Sequence, residues 1–286
     1  MTLWLTEQKI IGMKFSLWTD YGALNSKPVF DAFANSLNDD GHTVVYNDSS
    51  ADVNVIWSVL FHGRMARNRQ VWEHDKPTVV LEVGGINRGV TWKVGLNGIN
   101  RDAYFGPMGN NSVRANNLGL SLKPRQAGEY ILICGQHDKS LQWQDMLPMQ
   151  QWVTETIAAL RIVTERPIIF RPHPRCRVDV DSGVTVQTPN KIPNSYDDFD
   201  MSFNNIHATV SWSSNPGIHS VLAGVPAFVS THSLAYDVAN DIDFLHDIEN
   251  PLFSDRTQWL NDYAHTEYTI EEISQGIPLK NLTSEL

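Results

Sequence analysis

The sequence predicts an α/β protein made of two doubly wound domains that face each other across a cleft. Three observations carry that expectation. The chain has 286 residues, longer than the roughly 100–200 usual for one domain, which points to two. Both halves alternate short apolar runs with amphipathic helical stretches, the rhythm of parallel strands covered by helices on both faces. Between Ser211 and Ser230 one continuous unit holds a strand end, a polar turn, a short helix and the next strand, the arrangement on which open α/β sheets build ligand sites.

The first domain, residues 1–125, begins with a stretch to residue 13 that carries no clear element, and Met13 is an alternative start. Lys14 to Thr19 reads as the first strand. A helix follows, with Ser26 as cap, Pro28 in its first turn, Val29, Phe30, Phe33 and Leu37 along one face and Gly41 as terminator. His42 to Tyr46 and Val53 to Trp57 are strands, and Arg64 to His74 is a helix with its basic residues exposed. Pro77 to Glu82 is a continuous apolar strand ending on a carboxylate and running into Val83-Gly84-Gly85. Residues 86–128, rich in Gly and Asn, read as loops around a short strand at Ala103 to Phe105, and Pro107 and Gly109 open the linker.

The second domain, residues 126–286, repeats the rhythm. Tyr130 to Gly135 starts its sheet; a helix near Gln144 to Thr164, strands at Ile168 to Arg171 and Val184 to Gln187, and a helix near Tyr196 to Asn204 lead to the Ser211 unit. Further helices after Asp255 close the chain.

Apolar content of 42% excludes a disordered chain. No run approaches the roughly 18 apolar residues of a membrane span, and the N-terminus lacks a basic-then-apolar secretory pattern. Cys134 and Cys176 lie far apart without metal-ligand spacing, so a cytoplasmic protein with no structural zinc is expected. The formal net charge of −10 is unevenly spread. Residues 60–125 hold ten basic and four acidic side chains, six positive in net, leaving −16 for the rest of the chain. Such asymmetry suits an anionic ligand held at one place, or else a solvated basic face.

Two segments carry candidate chemistry. In Ser213-Ser214-Asn215-Pro216 the first three residues are favoured helix caps, and proline is well placed in the first turn. The turn offers backbone N–H groups, serine hydroxyls and the positive end of a helix, a phosphate site in outline; the same serines would serve equally as plain caps. Arg171-Pro-His-Pro-Arg175 comes after another strand. Its prolines restrict the backbone around His173, and Arg171, Arg175 and Arg177 surround it with positive charge. Both segments lie just past strands of one sheet, so they should open on one edge.

Arg171-Pro-His-Pro, Trp212-Ser-Ser-Asn-Pro-Gly-Ile and Leu222-Ala-Gly-Val-Pro-Ala resemble the His-Pro and Ser-Ser motifs of GT-B glycosyltransferases, as found in bacterial sialyltransferases and in the Kdo transferases of capsule and lipopolysaccharide. The resemblance covers the C-terminal half; the N-terminal half matches in outline. It implies two Rossmann-like domains, with the second gripping a nucleotide sugar, UDP- or CMP-linked, as co-substrate. It assigns His173, Ser213 and Ser214 to the donor phosphate and Gly135 and Gln136 to the donor cleft, and Arg171, Arg175 and Asn215 beside them are expected to bind the donor as well. Where related enzymes often carry a ribose-holding Glu, this chain has His219. Glu82-Val-Gly84 resembles the acidic-acidic-Gly motif of the sialyltransferases with its middle acid replaced, which makes Glu82 the candidate general base and Asp20 its rival.

The function expected is metal-independent, inverting transfer of a sugar to a hydroxyl of an anionic acceptor. Asp179-Val-Asp181 and Asp241-Ile-Asp243 have the spacing of a metal motif but lack a strand-end setting. Acceptor contacts are expected from Arg64, Arg67, Arg88, Lys93 and Arg101, with Trp72, Trp92, Tyr104 and Phe105 either stacking on the acceptor or filling the core. The favoured acceptor is a hydroxymethylated pyrimidine in DNA, as in bacteriophage systems, which would place the protein in host cytoplasm; an acidic glycan is the alternative. A non-catalytic nucleotide- or glycan-binding module and a nucleotide-sugar epimerase are the competing classes.

Overall fold

The computed structural model describes residues 12–107, 109–188 and 202–286. The first half runs β1 (Lys14–Leu17), α1 (Lys27–Asp39), β2 (Thr43–Tyr46), β3 (Val53–Trp57), α2 (Asn68–Trp72), β4 (Thr78–Val83), β5 (Thr91–Leu96) and α3 (Val113–Asn117). The second runs β6 (Tyr130–Cys134), α4 (Met149–Val163), β7 (Ile168–Arg171), β8 (Val184–Val186), β9 (Ile206–Ser211), α5 (Asn215–Leu222), β10 (Ala227–Val229) and β11 (Asn240–Asp241). The chain closes with α6 (Thr257–Tyr263), β12 (Glu267–Thr269), α7 (Ile270–Ser274) and α8 (Ile277–Leu282).

These strands form two six-stranded sheets, ordered β12-β5-β4-β3-β1-β2 and β11-β10-β9-β6-β7-β8. The second is parallel throughout. In the first, β1 to β4 are parallel while β5 and β12 add an antiparallel edge. Each sheet grows one way and then the other from a central strand, so a topological switch point lies between β1 and β3 and another between β6 and β9. Open α/β sheets bind ligands outside the carboxyl ends of strands at such points.

Helix α1 forms as its sequence predicts. Val29, Phe30, Phe33 and Leu37 share one face and are almost wholly buried in a core that also holds Phe15, Leu17, Val55 and Ile273, each of these large side chains contributing about 1.5–3 kcal/mol by leaving water. Gly41 ends the helix at φ 83°. Ser26 stands at the cap, but its hydroxyl donates to the Ala23 carbonyl at 2.8 Å rather than accepting from the helix.

The structure corrects the expectations at several places. Residues 86–128 contain a fully buried strand, β5, where loops were expected; Ala103 to Phe105 contributes an isolated bridge from Tyr104 to Leu96. The basic helix expected over Arg64 to His74 is a 3-10 turn at Gly63–Arg67 followed by the short α2. Residues 126–286 do not all stay with the second sheet, because β12 pairs with β5 and Ile273, Leu279 and Leu282 bury themselves in the first core beside Phe15 and Phe33. The stretch to residue 11, and residues 196–201 of the helix expected near Tyr196 to Asn204, lie outside the described residues.

Candidate active site in the cleft

Three neighbouring strands of the second sheet end together. Cys134 of β6 is in register with Arg171 of β7 on one side and Ser211 of β9 on the other. The three segments just past these strand ends therefore lie side by side: Gly135-Gln136-His137, Pro172-His173-Pro174 and Trp212-Ser213-Ser214. A cavity of about 670 Å³ opens over them, and Ser58, Glu82, Arg88 and Lys93 of the first domain line its other side.

Gln136 ties two of the strand ends together. It is buried, and its Oε1 accepts hydrogen bonds from the Ser213 amide at 3.1 Å and the Ser213 hydroxyl at 3.2 Å. The Ser214 hydroxyl pairs with Ser211 Oγ at 2.9 Å. Neither serine caps α5 through its side chain, so the plain-cap reading does not describe this turn. The serines instead fix the loop that presents the N-terminus of α5, with Asn215 and Pro216 in its first turn, to the cavity. Gly224, at φ 80°, ends the helix.

His173 is oriented by its own loop. Its Nδ1 accepts the Arg175 amide at 3.1 Å, which leaves the proton of the neutral ring on Nε2. Burial first, then the neighbouring His137, Arg175 and Arg88, pull its pKa down to about 4. At neutral pH it is an uncharged N–H donor. Arg171 is buried, with Nε donating to Gln187 Oε1 at 2.7 Å and its guanidinium over the Phe203 ring; Arg175 is exposed at the cavity rim.

The facing wall is organised by a residue without a sequence motif. Glu267 of β12 is fully buried and accepts from the amides of Gly85 at 2.6 Å and Ile86 at 2.9 Å and from Thr91 Oγ1 at 2.8 Å. It thereby holds the loop just past Glu82. Lys93 lies between two acids in register, Glu267 on β12 and Glu82 on β4. Only 3% of it is exposed, and burial lowers its ammonium pKa against the opposing pull of both glutamates. Its Nζ reaches Asn215 Oδ1 at 3.5 Å, while Gly85 packs so closely that a Cβ there would stand 2.9 Å from the Asn215 carboxamide. The loop after Glu82 and the start of α5 thus meet across the cleft.

The expected site residues divide on position. Glu82, Arg88, Lys93, Gly135, Gln136, Arg171, His173, Arg175, Ser213, Ser214 and Asn215 line the cavity. Asp20 does not: it lies exposed in the 3-10 turn Thr19–Tyr21. His219 is half-buried in the last turn of α5, away from the lining. Arg64 and Arg67 are exposed outside it, with Arg67 over the Tyr21 ring at 5.7 Å. Arg101 is bound to Asp237 through Nε at 3.1 Å and Nη2 at 2.9 Å and covers Tyr236. Trp92 is core, against Trp57. Asp241 accepts from the Asp243 amide and the Tyr236 hydroxyl, and Asp179 pairs with Arg177. Among the described residues no helix is long and apolar enough to cross a membrane.

Sequence reading missed Glu267, whose partners lie far along the chain, and His137, a single histidine beside the already conspicuous Gln136. For His137 the signal was its place one residue further past the same strand end.

No protein-family model matches the sequence, nor does the sequence of any curated protein. Among solved structures, the KpsC β-Kdo 2,7 transferase of Thermosulfurimonas dismutans aligns over 93% of this chain and 99% of its own, with TM-score 0.52 and 15% identity. The β-Kdo 2,4 transferase of KpsC from the same organism aligns over 93% and 98%, with TM-score 0.52 and 13% identity. The UDP-GlcNAc 2-epimerase of Methanocaldococcus jannaschii covers 95% and 100% at 12% identity, but with TM-score 0.39, too low to argue a shared fold. Likeness at such identities speaks to architecture, and with the two switch-point sheets described above it gives this chain the GT-B glycosyltransferase-like fold.

Proposed function

We propose that the protein is an inverting glycosyltransferase that takes its sugar from a nucleotide-sugar donor. The observation that carries this reading is the joint placement of Gln136, His173 and the Ser213-Ser214 turn on three adjacent strand ends, with Glu82 lining the same cavity from the other domain. The donor phosphate would lie against the N-terminus of α5 and the His173 N–H, and Glu82 would take the proton of the acceptor hydroxyl. The hydroxyl oxygen then attacks the anomeric carbon from the face opposite the phosphate, the bond from that carbon to the phosphate oxygen breaks, and the nucleotide leaves as an anion. Helix end, uncharged N–H donors and the nearby Arg175 are matched to that developing charge, and turnover without a divalent ion is part of the proposal. Two structures of similar fold are Kdo transferases, which supports sugar transfer over the binding-module reading.

For the acceptor we retain an anionic polymer, with hydroxymethylated DNA ahead of an acidic glycan. Arg88 at the cavity favours anionic character; the exposed Arg64 and Arg67 lie on the same domain.

The test incubates the protein, with and without chelator, with mixed nucleotide sugars and either hydroxymethylated DNA or a glycan panel, followed by mass spectrometry. A sugar-mass increment on one acceptor, lost in Glu82→Gln while donor binding persists, is the expected result. Equal behaviour of wild type and Glu82→Gln would favour a binding module, product formed without acceptor would favour an epimerase, and activity restored by Mg²⁺ or Mn²⁺ would overturn metal independence.

A further inference from the structure

Beside His173 stands a second imidazole of the same kind. His137 comes after Gln136 past the end of β6, is 6% exposed and lines the cavity. Its ring meets His173 edge-on, with centroids 5.2 Å apart, and lies 5.1 Å from the ring of His62. Its Nδ1 accepts the Lys139 amide at 3.2 Å, so the neutral ring carries its proton on Nε2. Asp138 Oδ1, 3.4 Å from Nδ1, is the acid beside it; Arg175, Lys139 and His62 are the basic groups nearby. Burial outweighs Asp138 and lowers the His137 pKa, which keeps the ring uncharged at neutral pH.

The Nε2 atom is buried and, among the described residues, has no hydrogen-bond partner. Burying an N–H without an acceptor costs about 1–3 kcal/mol, a penalty that a bound acceptor would relieve. The same peptide geometry recurs at the two rings: a backbone amide two residues on occupies Nδ1 in both, leaving each Nε2 with the proton. Two adjacent rings thus carry the same kind of donor beside one end of the cavity, with Arg175 at its rim. Paired N–H donors of this sort match an oxyanion and would repel a cation.

We propose that His137 is a second ligand of the donor's phosphate, giving its Nε2–H to one non-bridging oxygen while His173 gives its own to another. The inference rests on the nucleotide-sugar reading above and adds a residue that the family motifs do not mark.

Isothermal titration of wild type, His137→Leu, His137→Gln and His173→Leu with CMP, UDP, cytidine and uridine tests it. The expected result is nucleotide binding weakened about tenfold in His137→Leu, close to 1.4 kcal/mol, with nucleoside binding unchanged and most of the loss recovered in His137→Gln, whose amide keeps a donor. In ¹⁵N-histidine-labelled wild type, the His137 Nε2–H resonance should move on adding nucleotide, a readout that needs no variant to fold. Nucleotide binding equal to wild type in His137→Leu, or an Nε2–H signal indifferent to nucleotide, would overturn this inference while loss in His173→Leu left the donor reading standing. A wild type that binds neither nucleotide would overturn both.

Discussion

Glu82 and Lys93 are direct cross-strand neighbours on β4 and β5, and Glu267 stands in register on the other side of Lys93. Directly paired positions put their side chains on one face of a sheet, so an acid that lines the cavity, a buried ammonium and a buried acid form a row. The row links the candidate base to the loop that Glu267 anchors.

Removing the middle charge should therefore unsettle both acids. Lys93→Met keeps the apolar stem but removes the basic group whose field acts on the fully buried Glu267 beside it in register, a change of the size usual for a buried polar substitution, about 0.5–3 kcal/mol. Urea unfolding should show that loss, whereas Arg64→Met, on an exposed 3-10 turn, should change stability by less than about 0.5 kcal/mol. Equal midpoints for Lys93→Met and wild type would remove the charge row from the account.

His173 makes a pH prediction whose sign is set by its lowered pKa. The unfolded chain takes up a proton near the ordinary histidine value of 6.5, the folded chain at about 4. Between these values the unfolded state binds more protons, so stability rises with pH across the window and falls as pH drops from 6.5 toward 4. His137, lowered in the same direction, adds to the slope. Urea midpoints measured from pH 4.5 to 7 should rise for wild type and rise less for His173→Asn. A slope unchanged by the substitution would place the acid sensitivity elsewhere.

The range of each interaction decided how much of the site was legible in the sequence. The Ser213 turn and the His173 loop are local: prolines, caps and strand ends lie within a few residues, and the parallel sheet then brings them together in register. β1, β3, β4, α1 and α5 were legible for the same reason, since each buries a continuous or periodic apolar set. β5 was not, because Thr91-Trp-Lys-Val-Gly-Leu96 puts a lysine and a glycine inside a strand. What makes Lys93 tolerable there is Glu267, which arrives from the far end of the chain. The charge count located a basic segment but not its use: Arg101 is taken up by Asp237, and Arg64 and Arg67 stay outside the cavity.

Gly84 tests the loop just past Glu82. A Cβ at this position would overlap the Thr91 carbonyl and the Glu267 carboxylate, so Gly84→Ala must displace either the β5 backbone or the anchoring acid. Overpacking of this kind costs about 1–3 kcal/mol. Thermal unfolding should report it, and turnover should fall with the displaced Glu82. Gly183→Ala, where a Cβ would meet nothing within 4 Å, is the control expected to behave as wild type. An equally stable, equally active Gly84→Ala protein would mean that the loop yields without cost.

Gln136 offers the sharpest separation of structure from ligand charge. Its Oε1 receives both the amide and the hydroxyl of Ser213, and its Nε2 donates to Ser140 Oγ at 3.2 Å. Gln136→Ala strips the buried Ser213 amide of its acceptor, at a cost of about 1–3 kcal/mol, and frees the turn that presents α5. Gln136→Glu keeps an acceptor for both Ser213 donors, so it should retain more stability than Gln136→Ala. It also brings a negative charge to the wall assigned to the phosphate. The two variants should therefore change order between assays: Gln136→Glu the more stable in urea, yet binding nucleotide about tenfold or more weakly than wild type, with the deficit smaller for the uncharged nucleoside. If Gln136→Glu bound nucleotide as wild type does, the anion could not lie against this strand end, and the phosphate assignment of the Ser213 turn would fall with it.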